Sequence, residues 1–305
     1  MVSHRFASLV LSIAILLAQP GPKQTTINQP YPPPPPPPVV VEKPEIAVGQ
    51  VLKLPKRGET RVITTGRVGS SQVALTFDAG WEFEQTRALL KVLRENKVKA
   101  TFFLRGGWMR TNPELVKEIA ADGHEIGNHS WTHSHMPELG NSVAWVEIQQ
   151  TREELSGLSK QARLYYRPPY GEYSDRDLGL AGELGYRWTV MWSIDSLDWT
   201  MPGEAAIAER LRRLGDGGIA LMHLGVWQTV NALPGVIAEL RERHLEPVPL
   251  SAILDWSTFP TEDYTVKDGD TVNSIAAAFE IEPQLVRELN KLETKSPQPA
   301  AHSPQ

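Results

Sequence analysis

Between about residue 70 and residue 250 the chain alternates short apolar runs with amphipathic helical patterns, and this alternation limits the possible folds more than any other feature. Residues 73–78 (VALTFD) predict a buried strand and 84–96 a helix. Residues 100–104 (ATFFL) predict the next strand, followed by a helix opening at Asn112-Pro113, a good cap and first-turn pair. Further strands are predicted at 124–127, 164–167, 187–192, 219–223 and 247–250, with helices at 142–159, 174–184, 204–214 and 229–243. Repeated strand–helix units with apolar strands imply an α/β fold: a mostly parallel sheet covered by helices and closed, or nearly closed, into a barrel. An open doubly wound sheet is the alternative, but no glycine-rich phosphate loop follows the first strand.

Composition narrows the chemistry. The 305 residues allow one large domain and something smaller, and 41% hydrophobic with 22% charged residues is enough for a packed core. A net charge of -5 argues against a nucleic-acid partner. The absence of cysteine excludes disulfides, thiol nucleophiles and Cys-ligated metals, so any metal here is held by histidines and carboxylates.

The reactive residues cluster at strand ends. Asp78 ends the first predicted strand, His129 and His133 follow the third, and Arg167 ends the fourth. Asp195 and Asp198 follow the fifth, and His223 ends the sixth. In a β/α barrel these ends meet on one face, where active sites sit. The i, i+4 spacing of His129 and His133 in HSWTH puts both imidazoles on one side if the segment makes a helical turn, which suits a divalent metal site. His124 and His135 are read as non-ligands.

At these residues the sequence resembles the polysaccharide deacetylases of the NodB-homology type, carbohydrate esterase family four. TFDAG (76–80), HSWTH (129–133), RPPYG (167–171), DSLDW (195–199) and LMH (221–223) match the five family motifs in order, within about residues 57–256. The resemblance implies a distorted (β/α)7 barrel and a metal-dependent deacetylase. It implies Asp78 as general base, His129 and His133 as ligands of a divalent metal, typically zinc with cobalt or another divalent ion as alternatives, and Arg167 as the partner of Asp78. The backbone N–H of Tyr170 would stabilise the oxyanion, His223 would be the general acid tuned by Asp198, and Trp199 and Leu221 would line the acetyl pocket. Asp195 is the alternative to Asp198. One departure stands out: the family usually has a second aspartate in the first motif as third metal ligand, and here that position is Ala79. Water, Asp78 itself or a carboxylate such as Glu82 would have to complete the site. Trp81, Trp131, Trp199 and Trp227 fall just after strand ends, where sugar rings can stack, whereas at least one of Trp188 and Trp192 is expected in the core.

After Trp256 the style changes to a strand at 264–266, a glycine turn, and helices at 272–279 and 282–289. This segment, 262–293, resembles a LysM repeat, a module that binds N-acetylglucosamine-containing chains. Its usual last strand is missing from the polar tail at 294–305, yet a segment of that kind, VGQVLKLP, occurs at 48–55. Residues 46–56 are therefore expected to pair with the strand at 264–266 and complete a split, small α+β module. At the N-terminus, residues 1–19 read as a signal peptide or anchor, because the apolar run at 6–18 is short for a membrane span. Residues 20–45 read as a Pro-rich linker in which seven consecutive prolines, 32–38, form a semi-rigid spacer of roughly 20 Å. The expectation is an exported monomer of the periplasm, wall or medium that deacetylates an N-acetylated glycan, peptidoglycan or a chitin-like oligomer. The alternatives are an O-acetyl esterase or a glycan binder with an attenuated site.

Overall fold

The computed structural model describes residues 45–79, 84–156 and 162–292. The expected export segment, nearly all of the proline linker, Trp81, Glu82 and the tail lie outside the described residues. The strands are β1 (Val51–Pro55), β2 (Arg61–Ile63), β3 (Gln72–Asp78), β4 (Thr101–Leu104), β5 (Glu125–Asn128), β6 (Ala162–Tyr166), β7 (Trp188–Val190), β8 (Ile194–Asp195), β9 (Ile219–His223), β10 (Glu246–Val248) and β11 (Thr261–Thr265). The helices are α1 (Thr86–Glu95), α2 (Gly106–Thr111), α3 (Pro113–Ala121), α4 (Asn141–Ser156), α5 (Asp175–Glu183), α6 (Glu204–Leu211), α7 (Trp227–Glu242), α8 (Val272–Ala278) and α9 (Pro283–Asn290).

Strands β2 to β10 form one parallel sheet in the order β2-β7-β6-β5-β4-β3-β9-β8, with β10 also on β3. This is the half-barrel sheet of the distorted (β/α)7 fold, with β2 and β8 as its end strands. Strand β3 is central, which explains its unbroken apolar run: it is covered on both faces and flanked by β4 and β9. Leu75, Phe77, Phe102, Leu104 and Met222 from the sheet pack with Leu89, Leu93, Ile119, Leu211 and Ile237 from the surrounding helices, all fully or almost fully buried. Each such side chain contributes roughly 1.5–3 kcal/mol by leaving water. Register then fixes the chemistry, since Asp78 pairs with Phe103 on one side and with His223 on the other.

A second, smaller sheet consists of β1 and β11, antiparallel from Val51↔Thr265 to Pro55↔Thr261. Residues on either side of the whole barrel in sequence thus meet in one ladder. Alternation along β1 buries Leu52 and Leu54, which pack with Val266, Ile275, Phe279 and Val286 over α8 and α9. Thr271 caps α8 through a reciprocal pair with Ser274. Asn290, at the end of α9, accepts from the Lys53 backbone N–H at 2.7 Å and donates to its carbonyl at 2.9 Å, clamping β1 from the side. Among the described residues no helix is long and apolar enough to cross a membrane.

Candidate active site

Arg167 follows β6 and lies fully buried beneath the site. A guanidinium out of water needs every donor engaged, and here its Nε donates to Val190 O at 2.9 Å and Nη2 to Met191 O at 3.1 Å. Its Nη1 donates to Thr76 Oγ1 at 2.9 Å and to Asp78 Oδ1 at 2.7 Å, and its plane lies 4.1 Å from the Phe103 ring centre. Asp78 is therefore held by one oxygen, with Oδ2 turned toward His129.

The His129 Nδ1 lies 2.8 Å from the Arg167 carbonyl. A carbonyl only accepts, so Nδ1 carries the hydrogen and Nε2 the lone pair. That Nε2 faces Asp78 Oδ2 at 3.5 Å. Burial lowers the His129 pKa against the pull of Asp78, so the contact joins a neutral imidazole to a carboxylate rather than forming an ion pair. Two lone pairs face each other, an arrangement that a cation between them relieves.

The His133 ring sits edge-on to His129, centres 4.9 Å apart, and its buried Nδ1 has no hydrogen-bond partner among the described residues. Burial first, then the neighbouring His129, push its pKa down to about 4, leaving the ring neutral near pH 7. The expected helical turn is absent. Ser130 and His133 both take left-handed φ, 59° and 70°, and a loop brings the rings together. Three contacts hold that loop open: Ser130 N–H donates to Asn128 Oδ1 at 2.8 Å, His133 N–H to Ser130 Oγ at 3.0 Å, and Thr132 Oγ1 to Glu147 Oε1 at 2.7 Å. Glu147 Oε2 also accepts from the backbone N–H groups of Trp131 (3.0 Å) and Thr132 (2.8 Å).

These donors fit a divalent cation held by the two imidazoles, with Asp78 the adjoining carboxylate. Among the described residues no group of three His, Asp or Glu side chains is arranged to enclose a metal. Ala79 is buried, its N–H bonded to the Phe103 carbonyl, and offers only a methyl group.

Opposite lies a second pair. Asp198, fully buried, places Oδ1 2.7 Å from His223 Nδ1. Its Oδ2 accepts from the His223 N–H at 2.9 Å and from Thr229 Oγ1 at 2.6 Å. Burial alone would lower the His223 pKa, but the bond to Asp198 and that carboxylate's charge outweigh it, and the pKa stands above the ordinary histidine value. Burial likewise opposes ionisation of Asp198, yet the His223 and Thr229 bonds hold its pKa below the usual carboxylate range. Asp195 instead accepts from Leu197 N–H at 2.8 Å, so Asp198 is the partner of His223.

Asp78, His129, His133 and His223 open on one cavity of about 760 Å³. Tyr170, with φ 58°, stands at its edge, stacked on His135 at 4.1 Å and edge-on to His133. Leu221 and Trp192 line its interior, while Trp199 and Trp227 are exposed at the mouth. Trp131 faces elsewhere, packed on Gly106 beneath the Arg110 guanidinium. His124 is a core residue that accepts from Ala100 N–H at 3.1 Å, and His135 pairs with Glu172 at 2.7 Å. Sequence reasoning missed Glu147, Thr76 and Thr229. For Glu147 a signal existed, because it shares the buried face of α4 with Ala144, Ile148, Thr151 and Leu155.

Residues 65–189 match the polysaccharide deacetylase family model and residues 264–299 the LysM domain model. The chain is 34% identical over 200 residues to a peptidoglycan-N-acetylglucosamine deacetylase of Bacillus cereus, covering 63% of this chain and 72% of the relative. It is 32% identical over 182 residues to the uncharacterized protein YlxY of Bacillus subtilis, covering 59% of this chain and 56% of that one. Among solved structures it superimposes on wild-type BA3943 of Bacillus anthracis, described as a CE4 family pseudoenzyme, with a TM-score of 0.61 and 30% identity over 65% of this chain and 70% of that one. A BA3943 mutant described as having restored enzymatic activity matches with a TM-score of 0.62 and 31% identity, over 65% of this chain and 72% of that one.

Proposed function

The chain belongs to the polysaccharide deacetylase family, and from that premise we propose that it is a metal-dependent hydrolase that removes N-acetyl groups from cell-wall glycan, foremost peptidoglycan N-acetylglucosamine. One observation carries this reading: a carboxylate locked by a buried arginine, two imidazoles and a hydrogen-bonded His–Asp pair converge on a single cavity with aromatic walls.

His129 and His133 would hold the divalent cation, zinc foremost, which when bound polarises the acetyl carbonyl and acidifies water. Asp78 Oδ2 takes the proton of the attacking water, while Arg167 keeps Oδ1 and so keeps the carboxylate aimed. The Tyr170 backbone N–H faces the developing oxyanion. His223, its Nδ1 held by Asp198, gives the Nε2 proton to the leaving amine, without which an amide does not cleave. Leu221 and Trp199 flank the acetyl methyl, and Trp227 offers a face for a sugar ring.

The LysM domain supports a glycan partner and an exported location, in the wall or outside the cell. We assign β1 to this module, so that the module is split and the barrel is inserted between its first strand and the rest. A second reading, a glycan binder without turnover, is favoured by Ala79 and by the likeness to BA3943. Acetate release from peptidoglycan, chitin oligomers and acetylated xylan separates the possibilities. Release from the first two but not from xylan supports the proposal. Release from xylan alone would make the protein an O-acetyl esterase, and binding without release would support the second reading.

A further inference from the structure

A second cavity, of about 270 Å³, is lined by residues of both the barrel and the LysM module and shares none of them with the catalytic cavity. The barrel contributes Arg152 of α4, Gly182–Gly185 at the end of α5 and Arg187 just before β7. The module contributes Ala278, Phe279 and Glu280, and Arg57 comes from the turn after β1. Glycine is required twice for this close approach. A Cβ on Gly182 would stand 2.5 Å from the Gly58 carbonyl, and one on Gly185, where φ is 87°, would stand 2.9 Å from Glu280 Oε2.

The charges are unbalanced at one residue. Arg152 is paired with Glu280, and Arg57 with Glu262 at 2.9 Å. Arg187 is 2% exposed, yet its Nε and Nη1 have no hydrogen-bond partner among the described residues. Its Nη2 reaches only the Phe279 carbonyl, at 3.5 Å, the outer limit of a hydrogen bond. Glu183 lines the same cavity but is exposed, and no ion pair among the described residues joins it to Arg187. Contrast Arg167, also buried, in which each of the three guanidinium nitrogens donates a hydrogen bond. A buried guanidinium with idle donors is costly unless something accepts from them.

We propose that this cavity binds a small oxyanion, a carboxylate or a phosphate group, with Arg187 as its principal donor and Arg152 and Arg57 beside it. Two parallel N–H groups of a guanidinium match the paired oxygens of either group. Because the lining comes from both bodies, the bound anion ties the module to the barrel.

Isothermal titration and thermal unfolding of the full chain, after chelation and at matched ionic strength in chloride, test this with inorganic phosphate and with propionate. Saturable binding with a raised unfolding midpoint is expected for at least one of them, and which one binds assigns the ligand as phosphate or carboxylate. Arg187→Met removes the charge at similar volume; it should fold and weaken binding by about tenfold or more. Glu280→Gln removes a competing carboxylate and should tighten binding, a gain that stays readable should Arg187→Met fail to fold. No saturable binding, or equal binding by Arg187→Met, would overturn the proposal and leave Arg187 solvated by interior water with adventitious ions only.

Discussion

Asp198 Oδ1 lies 2.7 Å from His223 Nδ1 while Oδ2 of the same carboxylate accepts from the His223 backbone and from Thr229, so one buried group sets both the place and the tautomer of the imidazole. The nitrogen left free to carry a mobile proton is Nε2. The raised pKa keeps that proton in place at higher pH than a solvent-exposed histidine would.

Asp198→Asn keeps the shape and removes the charge. The alkaline limb of kcat/KM should move to lower pH, and activity near pH 7 should fall by about 10²-fold or more. Stability follows the same pair. The His223 contribution is complete below its unfolded pKa, about 6.5, and is lost as pH rises through the raised folded value. The Asp198 contribution is present above about 3.9 and is lost as pH falls through the depressed folded value. Denaturation across pH should show the wild type exceeding the variant most between about pH 4 and 6.5, and a difference independent of pH would contradict the coupling.

Glu147→Ala should loosen the loop between the two imidazoles, because two backbone N–H groups and the Thr132 hydroxyl lose their acceptor. Metal affinity measured by titration should fall by about 10–100-fold, as for other groups that orient metal ligands. Unchanged affinity would show that the loop keeps its form without this carboxylate.

Ala79→Asp puts a carboxylate where the family resemblance expects a third metal ligand, but in a position packed into the barrel core. Without metal the variant should be less stable by about 1–3 kcal/mol. With zinc it should gain more stability than the wild type does, and bind zinc about tenfold or more tightly. Thermal unfolding with and without zinc reads both signs, and a loss in both conditions would contradict the assignment of the metal position.

Leu54→Ala tests whether β1 belongs to the module. Its side chain is fully buried in the cluster over α8 and α9. Truncation should cost about 2–5 kcal/mol and reduce peptidoglycan binding, while barrel activity on short oligomers persists. Loss of barrel activity with intact binding would place β1 with the barrel instead.

Much of this was legible in the sequence where the signal is local. The apolar run of β3 betrays a strand covered on both faces, and the strand-end positions of Asp78, Arg167 and His223 foretell their convergence. Strand β2 escaped because three half-buried residues carry no periodicity, and β8 because it has only two residues. The pairing of β1 with β11 was readable only because one module lacked a strand that stood elsewhere. The Arg187 cavity was not readable, since Arg57, Arg152, Arg187 and Glu280 are scattered along the chain and nothing local marks an arginine that folding leaves without a partner.

In the proposed reaction Asp78 is the base of a metal-dependent deacetylation that proceeds despite Ala79. Acetate release from peptidoglycan should be measured on the purified protein after chelation, after zinc or cobalt is restored, and in Asp78→Asn. Release should disappear with chelation, return with metal and be abolished in Asp78→Asn. No release under any of these conditions, with peptidoglycan binding intact, would contradict it and mark the barrel as a glycan-binding pseudoenzyme.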